Sequence, residues 1–422
     1  MSAPPAGPVA PGGISSAHAP DLNLPARFMA LGMFGFLGVA ALAPFAVPLF
    51  AGGFSDSRVL VFVHLNTLGV VAAMILGASY QLVPVVLQTP LASARAVRWS
   101  FWAFVGGLVF MLPGLLTLRH WALGTGATLL VVAFALYIGV VGSTLRRAGR
   151  WDVVSMHLAA ALLSLAGGVV VGLLLAGNKG HGFLGGMTYP LLAAHVTLLL
   201  AGWVAVLLAG VAYRLVGMFT LSEDALWRPA AWAELALTAG GAWVLAASFV
   251  LRAGRTAGPA GALAIVAGQA LFLAQLLHLY RVRRRRGFDV HIPFALTAAA
   301  GGVGAAALLT GGLALGVGVS SPLWVVVVWL GLGGLAETAI QGFSYKITTF
   351  LVWLHRYAPV AGRQRVPRLE DLYRRRLAVA GWMLWTAGMA LSLMVAPLGC
   401  APLGRIAGAA LAAGLGCFLI NL

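Results

Sequence analysis

Apolar residues in this chain run on for about twenty positions at a time, broken by short polar, basic or glycine- and proline-rich stretches. A helix needs about 20 apolar residues to cross the hydrocarbon layer of a bilayer, and a helix satisfies its own backbone there without water. The runs predict twelve such helices, near residues 25–51, 58–86, 97–117, 121–144, 152–176, 188–219, 229–251, 258–280, 292–316, 322–354, 375–396 and 401–421, numbered spans 1 to 12. Residues 23–422 therefore read as one all-α, polytopic membrane domain. Residues 1–22 are rich in Pro, Ala, Gly and Ser. They lack the basic start and apolar middle of a secretory signal, so they read as a disordered tail.

Composition agrees with the pattern: 61% of the 422 residues are hydrophobic, 9% are charged, and the mean hydropathy is +0.96, more than a water-soluble core of this size needs. The only cysteines, Cys400 and Cys417, are too few and too close to span 12 to build a disulfide framework. The net charge of +17 invites a nucleic-acid reading, but its placement opposes one. The connections after spans 2, 4, 6, 8 and 10 hold 18 Lys and Arg, among them Arg146, Arg147, Arg150, Arg283 to Arg286 and Arg374 to Arg376, against about 6 on the other side. That asymmetry is the positive-inside bias and predicts a multi-pass protein of the cytoplasmic (inner) membrane with both termini in the cytoplasm. Lipid, not nucleic acid, is the partner the charge implies.

A repeat runs through three spans. Span 2 carries Gly69, Gly77, Tyr80 and Leu82; span 6 carries Gly202, Gly210, Tyr213 and Leu215; span 10 carries Gly334, Gly342, Tyr345 and Ile347. The copies recur at nearly equal intervals along the chain, and each tyrosine is followed by Gln81, Arg214 or Lys346. Glycines eight apart share a helix face and let helices approach closely in lipid. Four spans per copy keep all copies in one orientation, so the repeat predicts three parallel four-helix units around a pseudo-threefold axis along the membrane normal, with the motif on spans 2, 6 and 10. Inverted repeats, common in transporters, are not what it predicts.

Two histidines lie inside motif-bearing spans. His64 is about six residues from the outer end of span 2 and His195 about eight from that of span 6, so they sit at comparable depth. Relative to the repeat, His64 precedes its first glycine by five residues and His195 by seven. Two imidazoles from different helices at matched depth suit the two axial positions of a heme iron; each alone also suits a core histidine bonded to a carbonyl. Ionisable groups within a membrane are functional by default. His18, His120, His181, His278, His291 and His355 fall in the tail, loops or span ends, and His157 lies near the cytoplasmic end of span 5, where a second ligand cluster stays open.

The segment His64-x3-Leu68-Gly69-x7-Gly77-x2-Tyr80-x-Leu82-Val83-Pro84 resembles the histidine-bearing helices of heme-copper oxidase subunit I, most closely the C-type oxidases and nitric oxide reductases. The resemblance implies twelve helices in a pseudo-threefold arrangement and a low-spin heme b held by His64 and His195 near the outer face. The spacing of His64 to Gly77 is similar to that of the family's tenth helix, and the spacing of His195 to Gly210 to that of its second, a register rotated by one repeat. An oxygen- or NO-reducing member carries a further histidine two residues before the low-spin ligand, where this chain has Phe62. It also carries three histidines for copper or iron, where this chain has Val327 and Trp329 on span 10 and no histidine on spans 7 or 11. Copper is therefore not expected.

Other polar residues lie within the spans. Asn66 is placed to donate to a heme propionate, to orient the His64 ring or to bond a neighbouring helix. Glu337, midway along span 10 with Gln341 one turn on, suits a proton relay or a buried bond to another helix. Arg214 and Lys346 read as side chains that snorkel to lipid headgroups. The basic stretch 363–376, with Glu370 and Asp371, reads as a cytoplasmic loop or a docking surface for an acidic partner.

The leading expectation is a heme b protein with bis-histidine ligation, passing single electrons between a quinol or cytochrome-type partner and a partner on the outer face, with other membrane or periplasmic subunits alongside. An oxygen- or nitric oxide-reducing subunit with an unusual ligand set is one alternative. A heme-free proton-coupled transporter or assembly factor is another.

Overall fold

A computed structural model describes residues 18–54, 56–253, 256–285, 287 and 289–422; the predicted tail at 1–22 lies outside the described residues up to position 17. Among the described residues the protein is all-helical, with no strands. Twelve helices are long and apolar enough to cross a membrane: Asn23–Gly52, Ser57–Leu87, Ala94–Thr117, His120–Ala148, Val153–His181, Gly185–Thr220, Arg228–Val250, Ala257–Arg281, His291–Ala314, Leu323–Val360, Arg375–Leu398 and Ala401–Asn421. They match the twelve predicted runs in order and keep the numbers span 1 to span 12.

Span ends follow local chemistry. Asp56, Ser93 and Asp152 cap spans 2, 3 and 5, each accepting a hydrogen bond from a first-turn backbone N–H. Gly149, Gly182 and Gly399 close helices in the left-handed region.

Spans 2, 6 and 10 form the interior. Over their most apolar stretches 61, 61 and 72% of residues are buried, against 33–44% in the other nine, which identifies the motif-bearing helices as the inner ones. Around them, spans 3 and 4, 7 and 8, and 11 and 12 pack as pairs, while 4 meets 5, 8 meets 9 and 12 meets 1. The first and last spans thus lie side by side, and the packing pattern recurs every four spans.

Each inner span also changes helical pitch midway. Eight-residue π-helical segments occupy Leu65–Ala72, Leu198–Ala205 and Leu330–Glu337. Each begins four positions before the first motif glycine of its span, Gly69, Gly202 or Gly334, so the change of pitch keeps the register of the glycine–tyrosine motif. π-helix is rare and short and concentrates at functional sites. The segment of span 10 touches those of both other inner spans.

The motif glycines set how closely the neighbouring span approaches. A Cβ on Gly35 of span 1 would lie 2.2 Å from the carbonyl oxygen of Gly69, and one on Gly301 of span 9 would lie 2.9 Å from the carbonyl carbon of Gly334. Backbone meets backbone there, as small residues permit at helix interfaces in lipid.

Candidate functional site

His64 ends the α-helical first part of span 2 (Ser57–His64), one residue before its π segment; His195 lies in Thr188–Thr197 of span 6, just before the next. The His64 Nδ1 lies 2.9 Å from the Leu60 carbonyl oxygen, one turn back on its own helix. The His195 Nδ1 lies 2.8 Å from the carbonyl of Gly168, across the interface on span 5. A carbonyl only accepts, so in both rings Nδ1 carries the proton and donates. In the neutral ring Nε2 is then the lone-pair nitrogen, and neither Nε2 makes a hydrogen bond among the described residues.

Span 5 shapes the space around His195: a Cβ on Gly172 would stand 2.7 Å from its Cε1 and 3.1 Å from its Nδ1. Gly168, which supplies the carbonyl, occupies the same place relative to its repeat as Gly35 and lies within one residue of the place of Gly301, and the three are evenly spaced along the chain. Sequence reasoning missed this glycine series on spans 1, 5 and 9, although its spacing was readable.

Asn66 is fully buried, and its amide Nδ2 donates to the Phe62 carbonyl at 2.6 Å while its Oδ1 has no partner. The group that orients the His64 ring is thus the Leu60 carbonyl. Phe62 itself is fully buried in an aromatic cluster, with ring centroids 6.4 Å from Phe50 and 5.8 Å from Trp329; Phe50 and Trp329 are 5.2 Å apart. The Trp329 indole N–H donates to Ser392 of span 11 at 2.7 Å. Phe62, Val327 and Trp329 are the positions at which the resemblance looked for ligands, and the side chains of Phe62 and Trp329 pack on each other.

Glu337 and Gln341 are fully buried, and neither the carboxyl oxygens nor the amide atoms have a partner. A charged carboxylate in that position has nothing to offset its desolvation.

His157 is fully buried and both ring nitrogens are engaged: Nδ1 donates to the Val153 carbonyl at 2.6 Å, and Nε2 lies 2.7 Å from Oε2 of Glu234 on span 7. Glu234 also accepts from Tyr213 at 3.2 Å and from Thr238 at 3.0 Å. No ring nitrogen of His157 is left to bind a metal. The motif tyrosine Tyr80 bonds Ser100 at 3.2 Å, and Tyr345 accepts from Asn421 at 3.4 Å. Each motif tyrosine thus ties an inner span to an outer one.

Lys346 departs from the expectation of snorkelling. It is 3% exposed and pairs with Asp289, which also lies 2.9 Å from His291 Nδ1. Burial alone would push the Asp289 carboxyl up, but His291 and Lys346 outweigh it and hold it well below the usual carboxylate range. Arg214 is exposed, as expected, and pairs with Glu223 at 3.3 Å.

Among the described residues no group of three or more His, Cys, Asp or Glu side chains is arranged to hold a metal ion. No protein-family model matches the sequence, and no curated protein matches it.

Proposed function

We propose that this is a heme b-binding membrane protein of the heme-copper oxidase subunit I type, built as three parallel four-helix repeats around a pseudo-threefold axis, that passes single electrons through one bis-histidine site. The observation that carries the reading is the histidine pair. Two imidazoles on adjacent inner spans each have Nδ1 fixed by a carbonyl and Nε2 unbonded, the arrangement in which second-shell bonds present a ligand nitrogen to a metal. The donor set fits the group, and Gly172 leaves His195 the room to hold its ring orientation.

When bound, the heme supplies one-electron chemistry. His64 and His195 would hold its iron through their unbonded Nε2 atoms, and a group held by both would supply electron transfer rather than oxygen binding. The Phe50, Phe62 and Trp329 cluster supports electron transfer over oxygen or NO reduction, since apolar rings pack where the resemblance requires ligands. Recurrence of the π segments and of the four-span packing pattern supports the repeat architecture. Under the charge asymmetry the basic loops and both termini are cytoplasmic, the membrane is the inner one, the histidine pair lies near the outer face, and the donor is a quinol or a cytochrome, with other membrane or periplasmic subunits as neighbours.

One observation favours a second reading, a heme-free proton-coupled transporter or assembly factor. Glu337 is a fully buried carboxyl without a partner, the form of a group that binds and releases a proton.

The ligand assignment is tested on purified protein by the reduced-minus-oxidised absorbance spectra of His64→Ala and His195→Ala. Each is expected to strip or alter the same b-type heme; wild-type spectra from both variants would overturn the assignment.

A further inference from the structure

The surface at the histidine end of the molecule carries almost no acid. Of the ten Asp and Glu residues, all of them among the described residues, only Asp56 belongs to a connection at that end, and Arg58 takes it up at 2.7 Å. Span 5 joins this surface to the histidine pair. Gly172 stands against the His195 ring, and two turns further along, about 10 Å on the helix axis, Lys179 is exposed. Span 4 begins beside it, with His120 packed on Gly180 and the exposed Arg119 just before. On the other side Arg252, past the end of span 7, is exposed and reaches the Gly186 carbonyl at 3.5 Å. Three cations from the ends of three spans thus ring the connection between spans 5 and 6.

That connection has a fixed shape. Asn178 donates through Nδ2 to the Thr188 hydroxyl at 3.1 Å and accepts from the Leu184 N–H at 2.7 Å, while Gly182 and Gly185 take left-handed backbone. It presents two rings: Phe183 is 57% exposed and Tyr189, at the start of span 6, is 52% exposed. Aromatic side chains inside a charged rim are the composition of a protein–protein contact. Lipid is the other claimant for such rings, since aromatic residues gather at bilayer interfaces. The cations decide against it. Under the positive-inside bias Lys and Arg are kept off the outer side, so three gathered at one outer connection run against the trend. With Asp56 already spent on Arg58, the matching negative charge has to come from a partner, and complementary rim charges steer encounter.

We propose that this connection and its cationic rim dock a soluble one-electron carrier protein with an acidic surface, seated over His195. The inference deepens the proposed function by placing the outer partner and naming its charge; the electron-transfer role rests on that reading, the docking does not.

The test measures binding of two small one-electron proteins of opposite charge to the purified full-length protein in detergent: plastocyanin, which is acidic, and cytochrome c, which is basic. Plastocyanin is expected to bind and cytochrome c is not. Plastocyanin binding is expected to weaken about tenfold as ionic strength rises from about 0.01 to about 0.1 M, where the Debye length shortens from about 30 to about 10 Å. Lys179→Glu combined with Arg119→Glu is expected to weaken it by about tenfold or more. Arg363→Glu combined with Arg365→Glu, in the basic stretch at the opposite end, is expected to leave it nearly unchanged. Phe183→Ala is expected to weaken binding and keep its salt dependence. Loss of binding with the Arg363 pair but not with the Lys179 pair puts the docking on the opposite face and overturns the proposal. Wild-type binding by both the Lys179 pair and Phe183→Ala marks a lipid-facing belt and overturns it too, as does absence of plastocyanin binding. A normal b-type spectrum without charge-dependent docking overturns this inference alone; docking without heme overturns the electron-transfer reading alone.

Discussion

His64 and His195 reach one state by different routes. His64 uses a carbonyl of its own helix, which locks its ring to span 2, whereas His195 uses the Gly168 carbonyl and so depends on how span 5 sits against span 6. The sensitive position for His195 is therefore on another helix. Gly172→Val sets side-chain atoms where a Cβ alone would be 2.7 Å from the His195 Cε1, so the ring must turn. Heme retention is expected to weaken about tenfold, the usual scale for disturbing a second shell, with protein yield maintained; heme-to-protein ratio after dilution and washing measures it. A second residue-scale prediction concerns Asp289, whose depressed carboxyl stabilises the fold while ionised. That contribution is fully present above the unfolded value of about 3.9 and is lost as pH falls through the lower folded value. Asp289→Asn leaves Lys346 buried without its counter-charge and is expected to cost about 3–5 kcal/mol. Thermal melts should show a gap between variant and wild type that is constant from about pH 5 to 8 and narrows only below about pH 4. Neither the Gly168 contact nor the Asp289 pair was legible in the sequence, because each joins partners far apart along the chain, His195 with Gly168 and Lys346 with Asp289, and no local pattern links them.

At the scale of elements, the spans were legible because lipid imposes one simple demand, an unbroken apolar length, and the predicted runs match the observed helices in order. The ends were less so. Span 10 was expected to stop at 354 but continues to Val360, through Trp353–Tyr357 and Ala358–Val360, since helix persists past the apolar run where His355 and Arg356 are exposed. The π segments were not legible either. Leu65–Ala72, Leu198–Ala205 and Leu330–Glu337 share a glycine and little else, and no side-chain period announces a change of pitch. Close packing of span 1 on span 2 is the element-scale property most open to test. Gly35→Val brings a Cβ against the Gly69 carbonyl and forces the backbones apart, and is expected to cost about 3 kcal/mol or more. Gly139→Val, on span 4 with nothing within 4 Å of its Cβ, is expected to be near neutral. Thermal midpoints of the two variants side by side check the contrast.

Across the whole molecule, the three inner spans carry the histidine pair toward one end, Phe62 and Trp329 of the aromatic cluster beside it, and the buried Glu337 at mid-length, while span 1 adds Phe50 to the cluster. Nine outer spans hold these three in place, each motif tyrosine tying one of them outward. Measured against the repeat, the sequence puts His64 and His195 at comparable depth; the aromatic packing of Phe62 on Trp329 joins two of the positions that the resemblance had singled out separately. The central claim, a six-coordinate heme that transfers electrons, is tested most directly by the reduced-minus-oxidised absorbance spectrum of the purified protein recorded with and without carbon monoxide. Narrow b-type bands unchanged by carbon monoxide are expected; a carbon monoxide shift, or no heme at all, would contradict it.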